Sequence, residues 1–457
     1  MLQDRIPPLS RGRLIPEVNA RLSPLQHGPR RVATLAFPVL SMVALFFIVS
    51  CLGQSQVMVS VQGGSDQREA AVAPAVAAST PIASGSPIAV PANRSRIALG
   101  RAIFFDPALS EPPGTSCASC HTPERAFSGN HGSLTGVAQG SRPDHFARRS
   151  TPSVLYLRYV PRFHFFADDD AIQPSPFGGF FWDGRADSIV DVVKEPLLDP
   201  NEMNNRDLSQ IAHKIASAPY VDEFRHEFGD ILGDPQAAVT AVGRALEAFL
   251  TSDEMAPFSS KYDAYVRGKA RLTAIEARGL KLFKDPDKGN CISCHRFYDT
   301  STNPERSLFT DFGYEAVAVP RNREISANAD PQHFDLGLCE RRDERTPSND
   351  EMWCVSFRTP SLRNVAVRQS FMHNGVFKSL REAVAFYATR ATNPKRWYPS
   401  GVKFDDVPAK YRGQVNVNSI PYNRREGDDP VLTNADIDAI VAFLGTLTDA
   451  AYRRATR

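Results

Sequence analysis

A chain of 457 residues, 42% hydrophobic and 23% charged, has an ordinary globular composition, which excludes wholesale disorder and a multi-pass membrane protein. Its 53 Lys+Arg against 51 Asp+Glu leave a net charge of +2, too small an excess to neutralise a phosphate backbone, so a nucleic-acid partner is excluded too. The length suits about two or three domains, and seven cysteines are too few for a disulfide scaffold. In chain order, the first predicted element is an apolar run over 32–52 behind the basic pair Arg30-Arg31. Such a run reads as an export signal or a single membrane anchor that sends the remaining chain across. It closes on Ile48-Val49-Ser50-Cys51, which resembles a bacterial lipobox with Cys51 as the lipidated residue, so segment 1–53 is expected to act as leader or membrane tether and the body to be periplasmic. Segment 54–95 is dominated by Ala, Pro, Ser and Val, cannot pack a core, and reads as a linker. Beyond it, helical periodicity runs over 97–105, 208–216, 237–250, 275–283, 380–387 and 437–447, while alternating strands are scarce. The body is expected to be mainly α-helical with long ordered loops.

An internal repeat divides that body. Leu99-Gly100-Arg101-Ala102-Ile103-Phe104-Phe105-Asp106-Pro107 matches Arg278-Gly279-Leu280-Lys281-Leu282-Phe283-Lys284-Asp285-Pro286. Thr151-Pro152-Ser153 matches Thr359-Pro360-Ser361, and Asp183-Gly184 with Ser188 matches Asn374-Gly375 with Ser379. These collinear matches predict tandem homologous domains over 96–256 and 257–457.

Each copy carries Cys-x-x-Cys-His: Cys117, Cys120 and His121 in the first, Cys291, Cys294 and His295 in the second. This is the attachment motif of a c-type haem, whose vinyl groups bind the thiols and whose iron takes the histidine. Zinc ribbons lack the regular trailing histidine, and a thioredoxin-like dithiol needs a βαβ context that is missing. Two covalent haems c are expected, one per domain, each domain being of the class I cytochrome c type. Cys339 and Cys354 remain; in an oxidising compartment they are expected to pair, closing a short loop for about 3 kcal/mol of stability.

From Leu99 onward the chain resembles the bacterial dihaem cytochrome c peroxidases and their MauG-type relatives. The resemblance rests on Phe104-Phe105-Asp106-Pro107, Ser116-Cys117-Ala118-Ser119-Cys120-His121, Phe181-Trp182-Asp183-Gly184-Arg185-Ala186, Glu202-Met203 and Pro360-Ser361-Leu362-Arg363-Asn364. It implies that the first haem reacts with hydrogen peroxide and that the second receives electrons. Trp182 then stands for the family tryptophan between the haems and Glu202 for its distal glutamate. His373 matches a family histidine near the second haem, and reads equally as a structural histidine.

The repeat supports the same division independently. Twelve residues after Gly375 stands Tyr387, and twelve after Gly184 stands Pro196. Proline offers no ligand atom, so the first iron keeps an open position, whereas Tyr387 can ligate the second. The classical peroxidases carry methionine at that place and the MauG type tyrosine; Met372 nearby is the alternative ligand.

Several positions depart from the family pattern. His131 and His145 lie off the interval of the histidine that caps the first haem in classical enzymes. Ser150, after Arg149, replaces an asparagine that binds calcium between the family's domains, which makes calcium doubtful. Val192 replaces a distal glutamine of the MauG type, and the Asp-, Pro- and Gly-rich insertion 167–179 has no counterpart. The resemblance thus implies a dihaem peroxidase that reduces hydrogen peroxide with electrons from a small cytochrome c or cupredoxin. Two alternatives stand beside it: a MauG-like oxidase using high-valent haem to oxidise a protein substrate, and a dihaem electron carrier without catalysis.

Overall fold

The computed structural model describes residues 94–166, 174–298, 303, 307–341 and 351–456. The apolar run 32–52, Cys51 and the tether up to Asn93 lie outside the described residues, as do the first residues of the insertion, 167–173. Among the described residues no helix is long and apolar enough to cross a membrane.

The helices are α1 (Arg94–Phe104), α2 (Cys117–Cys120), α3 (Ile189–Leu198), α4 (Leu208–Ala216), α5 (Val221–Phe228), α6 (Pro235–Leu250), α7 (Lys261–Val266), α8 (Ala274–Lys284), α9 (Leu380–Thr389), α10 (Pro394–Trp397) and α11 (Asn434–Gly445). Caps written in the sequence set their starts. Ser188 accepts from Asp191 N ahead of α3, Ser379 from Glu382 N ahead of α9, and Thr433 forms a capping box with Asp436 ahead of α11. The first described helix, α1, takes in Arg94 and Ser95, two residues ahead of the expected domain boundary. Helix α3 went unpredicted because Pro196 sits inside it, in the last turn, where a proline reads as a stop.

Two large hydrophobic cores form among the described residues, beside a small cluster of Phe163, Tyr314 and Leu338. One gathers α1, α3, α4 and α6 around Ile103, Phe104, Ile189, Leu246 and Phe249; the other gathers α8, α9 and α11 around Phe283, Phe309, Phe386, Ile440 and Phe443. Each buried aromatic of this kind contributes about 1.5–3 kcal/mol of transfer free energy. The same crossing organises both. A Cβ on Gly100 would collide with the Ala245 carbonyl and touch Phe249; one on Gly279 would collide with the Ala439 carbonyl and touch Phe443. The repeated glycine lets α1 lie directly on α6, and α8 on α11. A further matching pair follows, Ala245-Leu246-Glu247-Ala248-Phe249-Leu250 against Ala439-Ile440-Val441-Ala442-Phe443-Leu444.

Strands are short. β1 (His164–Phe166) pairs antiparallel with β2 (Ser175–Phe177), which is the described end of the insertion, and β3 (Tyr314–Glu315) pairs with β4 (Phe357–Arg358). A bridge from Phe177 to Gly313 joins the ribbons. Cys339 and Cys354 lie at disulfide distance, with Cα atoms 4.8 Å apart.

Buried polar groups fasten the two cores to each other. Arg363, wholly buried, pairs with Asp263 (2.8 and 3.0 Å) and lies over Phe258 of the first core. Tyr156 donates to Asp449 (2.5 Å), which also accepts from Asn364 (2.8 Å). Removing one partner of such a pair leaves an uncompensated charge, so these contacts set the register between the lobes.

Candidate functional site

The Cys-x-x-Cys-His motifs adopt one local design. In the first lobe His121 Nδ1 faces the carbonyls of Phe127 (3.2 Å) and Pro152 (3.0 Å). In the second, His295 Nδ1 faces Phe309 O (3.0 Å) and is also bonded to the Pro360 carbonyl. Ser153 Oγ donates to Ala126 O (2.6 Å) and Ser361 Oγ to Leu308 O (2.6 Å), fastening each Thr-Pro-Ser turn to the segment behind its histidine. The repeated turn is therefore the histidine's holder. With Nδ1 donating to carbonyls, Nε2 is the free acceptor of each ring. Burial pulls both imidazoles down to about 4, so they are neutral, as a metal ligand must be.

A cavity of about 430 Å³ opens over the second motif, lined by Cys291, Cys294, His295, Trp182, Met372 and Tyr387 among others. Burial pushes the thiols of Cys117, Cys291 and Cys294 up to about 12 and that of Cys120 higher still. Thiols so hard to ionise do not suit disulfide exchange, and no group of three or more His, Cys, Asp or Glu able to hold a metal occurs among the described residues. Three arginines, Arg296, Arg358 and Arg368, also line the cavity, and neither Arg358 nor Arg368 forms an ion pair among the described residues. A flat apolar group carrying carboxylates, with an iron to meet Nε2, fits this set of donors; that is the character of haem. The first lobe repeats the thiols and the histidine, and α2 presents Cys117 and Cys120 from one turn.

The structure also places the remaining expected residues. Tyr387 and Met372 face each other on the cavity wall, with the Tyr387 hydroxyl 4.0 Å from Met372 Sδ, so both candidates for the second iron stand together. Tyr387 stacks on Tyr422 (5.9 Å between ring centroids), and burial holds its phenol above the usual range. Pro196 lies eight residues after the α3 cap Ser188, as Tyr387 lies eight after the α9 cap Ser379, so each stands at the same position along its helix. Trp182, 8% exposed, lines the cavity, and its Nε1 donates to Ser150 O (2.8 Å). Ser150 is two residues before Pro152, so the tryptophan hangs from the loop that holds His121. Glu202 sits in the turn after α3, its N–H donating to Asp199 O (3.0 Å), and its carboxyl acts electrostatically on Cys120. Burial, reinforced by Asp199, pushes that carboxyl up to about 7. His373 stacks on Phe357 at 3.5 Å on the cavity wall. His131 and His145 are engaged elsewhere, His131 with Gln139 O (2.8 Å) and His145 with Asn201 Oδ1 (3.2 Å).

Sequence reasoning missed the ionic frame around Trp182. Asp183, with no exposed surface, pairs with Arg149 (2.5 Å) and Arg185 (2.9 Å), and Arg149 reaches on to Asp335 (2.6 Å). The Asp335 carboxyl is held well below the usual range by Arg149 against the opposing effect of burial. The signal was the Asp-Gly-Arg that follows Trp182; its partners lie too far along the chain to be read from spacing.

Comparison with known proteins follows the same lines. Residues 94–271 match the family model for di-haem cytochrome c peroxidase. The methylamine utilization protein MauG of Paracoccus denitrificans is 36% identical over 387 residues, covering 81% of this chain and 93% of that protein. The cytochrome-c peroxidase IdrP1 of a Pseudomonas species is 26% identical, covering 67% and 76%. Among solved structures, the diheme peroxidase BthA from Burkholderia thailandensis superposes with a TM-score of 0.76 at 56% identity, covering 79% of this chain and 87% of that one.

Proposed function

The chain belongs to the di-haem cytochrome c peroxidase and MauG family, and from that premise we propose that it reduces hydrogen peroxide to water with electrons from a small exported redox protein. Two covalent haems c are held by Cys117, Cys120 and His121 and by Cys291, Cys294 and His295. Bound haem iron supplies the one-electron chemistry that side chains lack; the protein positions, protonates and insulates. The observation that carries the reading is the asymmetry at one helical position, Pro196 in α3 against Tyr387 in α9. A side chain without a ligand atom leaves the first site open to peroxide, whereas a phenol or the neighbouring thioether closes the second.

In this reading Glu202 takes the proton from the nearer peroxide oxygen and delivers it to the leaving one, so that with two electrons and two protons both oxygens depart as water. A carboxyl near 7 suits that exchange at neutral pH. Trp182 stands between the loop of His121 and the cavity of His295 and relays the electron. The 56% identity with a protein described as a diheme peroxidase supports this assignment. Steady-state consumption of peroxide, coupled to oxidation of a reduced small cytochrome c, tests it; haem-loaded protein that consumes none contradicts it.

A second reading has its own observation. Tyr387 on the cavity wall, together with the 36% identical MauG, favours an oxidase that withdraws electrons from a partner protein through the second haem. Peroxide-dependent modification of such a protein, without turnover of a small donor, distinguishes it. Export across the membrane, with the 1–53 leader as signal or tether, belongs to both readings.

A further inference from the structure

At the position of the family's calcium ion the residues present do not fit that ion. Ser150, standing where the family carries asparagine, is bound by an arginine from the other lobe. Arg368 Nη2 donates to Ser150 Oγ and to Thr151 O, both at 3.2 Å, and Arg368 Nε donates to Ser370 O at 3.3 Å. Ser150 Oγ and Ser370 Oγ lie 3.2 Å apart. The oxygens of this seam thus already face a cation. Calcium asks for about six to eight oxygens, carboxylates among them, and no carboxylate forms an ion pair with Arg368 or a hydrogen bond with Ser150 or Ser370 among the described residues. A divalent ion would also sit beside an unneutralised guanidinium shielded from water, where like charges repel strongly.

We propose that the Arg368 guanidinium is itself the resident cation of the seam between the two lobes, and that this chain takes no calcium there. Its position does what a bridging ion would do. Thr151 leads to Pro152, whose carbonyl holds His121. Ser150 accepts the Trp182 indole through its carbonyl and donates its own N–H to His373 O at 2.7 Å. Arg368 also lines the cavity of the second lobe. One side chain therefore ties the holder of the first histidine, the tryptophan and the wall of the second site, with a charge that neither a chelator nor ordinary pH removes.

The inference rests on the two-haem reading; missing haem absorption would sink that reading, whereas metal content and haem potential decide this one. Haem-loaded protein equilibrated with calcium chloride and then desalted should carry calcium only at the buffer background. A chelator should shift neither its absorption spectrum nor its unfolding temperature. One calcium per chain, or a chelator-dependent shift, overturns the proposal. Arg368→Ser and Arg368→Lys supply the second arm. Removing the positive charge should lower the midpoint potential of the second haem in Arg368→Ser, while Arg368→Lys stays near wild type; equal potentials in all three proteins would also overturn it. Should Arg368→Ser fail to fold, the metal analysis of the wild-type protein still decides.

Discussion

Burial pushes the Glu202 carboxyl up to about 7 from its ordinary 4.5, which ties both reactivity and stability to pH. As a base it must be ionised, so the rate of reaction with peroxide should rise with pH through about 7 and then level off. Glu202→Gln should lower that rate by about 10²–10⁴-fold and abolish the inflection, as stopped-flow absorbance will show. The linkage for folding has the opposite sense. A group whose folded value is raised contributes stability that is full below 4.5 and lost as pH rises through about 7. Glu202→Gln, which cannot ionise, should therefore gain in unfolding temperature relative to wild type above pH 7. Tyr387 poses the other question at this scale, because its hydroxyl and Met372 Sδ stand 4.0 Å apart on one wall. Oxygen ligation stabilises the oxidised iron, so Tyr387→Met should raise the potential of the second haem, and Tyr387→Phe should free that position or hand it to Met372. Electrochemistry and spectra unchanged in both variants would make Tyr387 packing, and Met372 the ligand to examine.

Helix crossings explain what the repeat is for. Gly100 and Gly279 are the points where α1 meets α6 and α8 meets α11, and each is closed off by a carbonyl of the facing helix. Gly100→Ala or Gly279→Ala should cost about 1–3 kcal/mol, more if the helices cannot part, measured by chemical denaturation of the haem-loaded protein. Gly268, open on all sides, provides the control: Gly268→Ala meets no neighbour, though its positive φ of 70° adds a modest strain of its own. Much of this architecture was legible, since α4 has its expected ends and α1, α6, α8, α9 and α11 lie within a few residues of theirs. Those helices carry period-3.6 faces and local caps, which act over a few residues. Helix α3 was not legible, because Pro196 breaks the pattern that its Ser188 cap begins. Nor was the Arg149–Asp183–Asp335 frame, whose members lie up to 186 residues apart and meet only once both lobes have formed. At the site, the proposed haem ligands stand out in the sequence because covalent attachment demands contiguous residues. The holders of their histidines, Pro152 and Pro360, were visible only as a repeat without a stated purpose.

In the proposed reading the whole molecule couples two lobes built on one repeat, with Pro196 in one where the other has Tyr387, and turnover requires both haems. Replacing Cys291 and Cys294 with Ala should leave a single covalent haem by mass and abolish turnover with an external donor, while the first haem keeps its absorption. The most direct measurement is the spectrum of the resting, fully oxidised protein before and after one equivalent of hydrogen peroxide. The proposed equivalence of Pro196 with Tyr387 predicts a high-spin ferric signal at rest that disappears at once on addition, without prior reduction. Resting protein that is wholly low-spin, inert to peroxide until half-reduced, would mean that a side chain caps the first iron and would contradict the open site on which the proposed peroxidase rests.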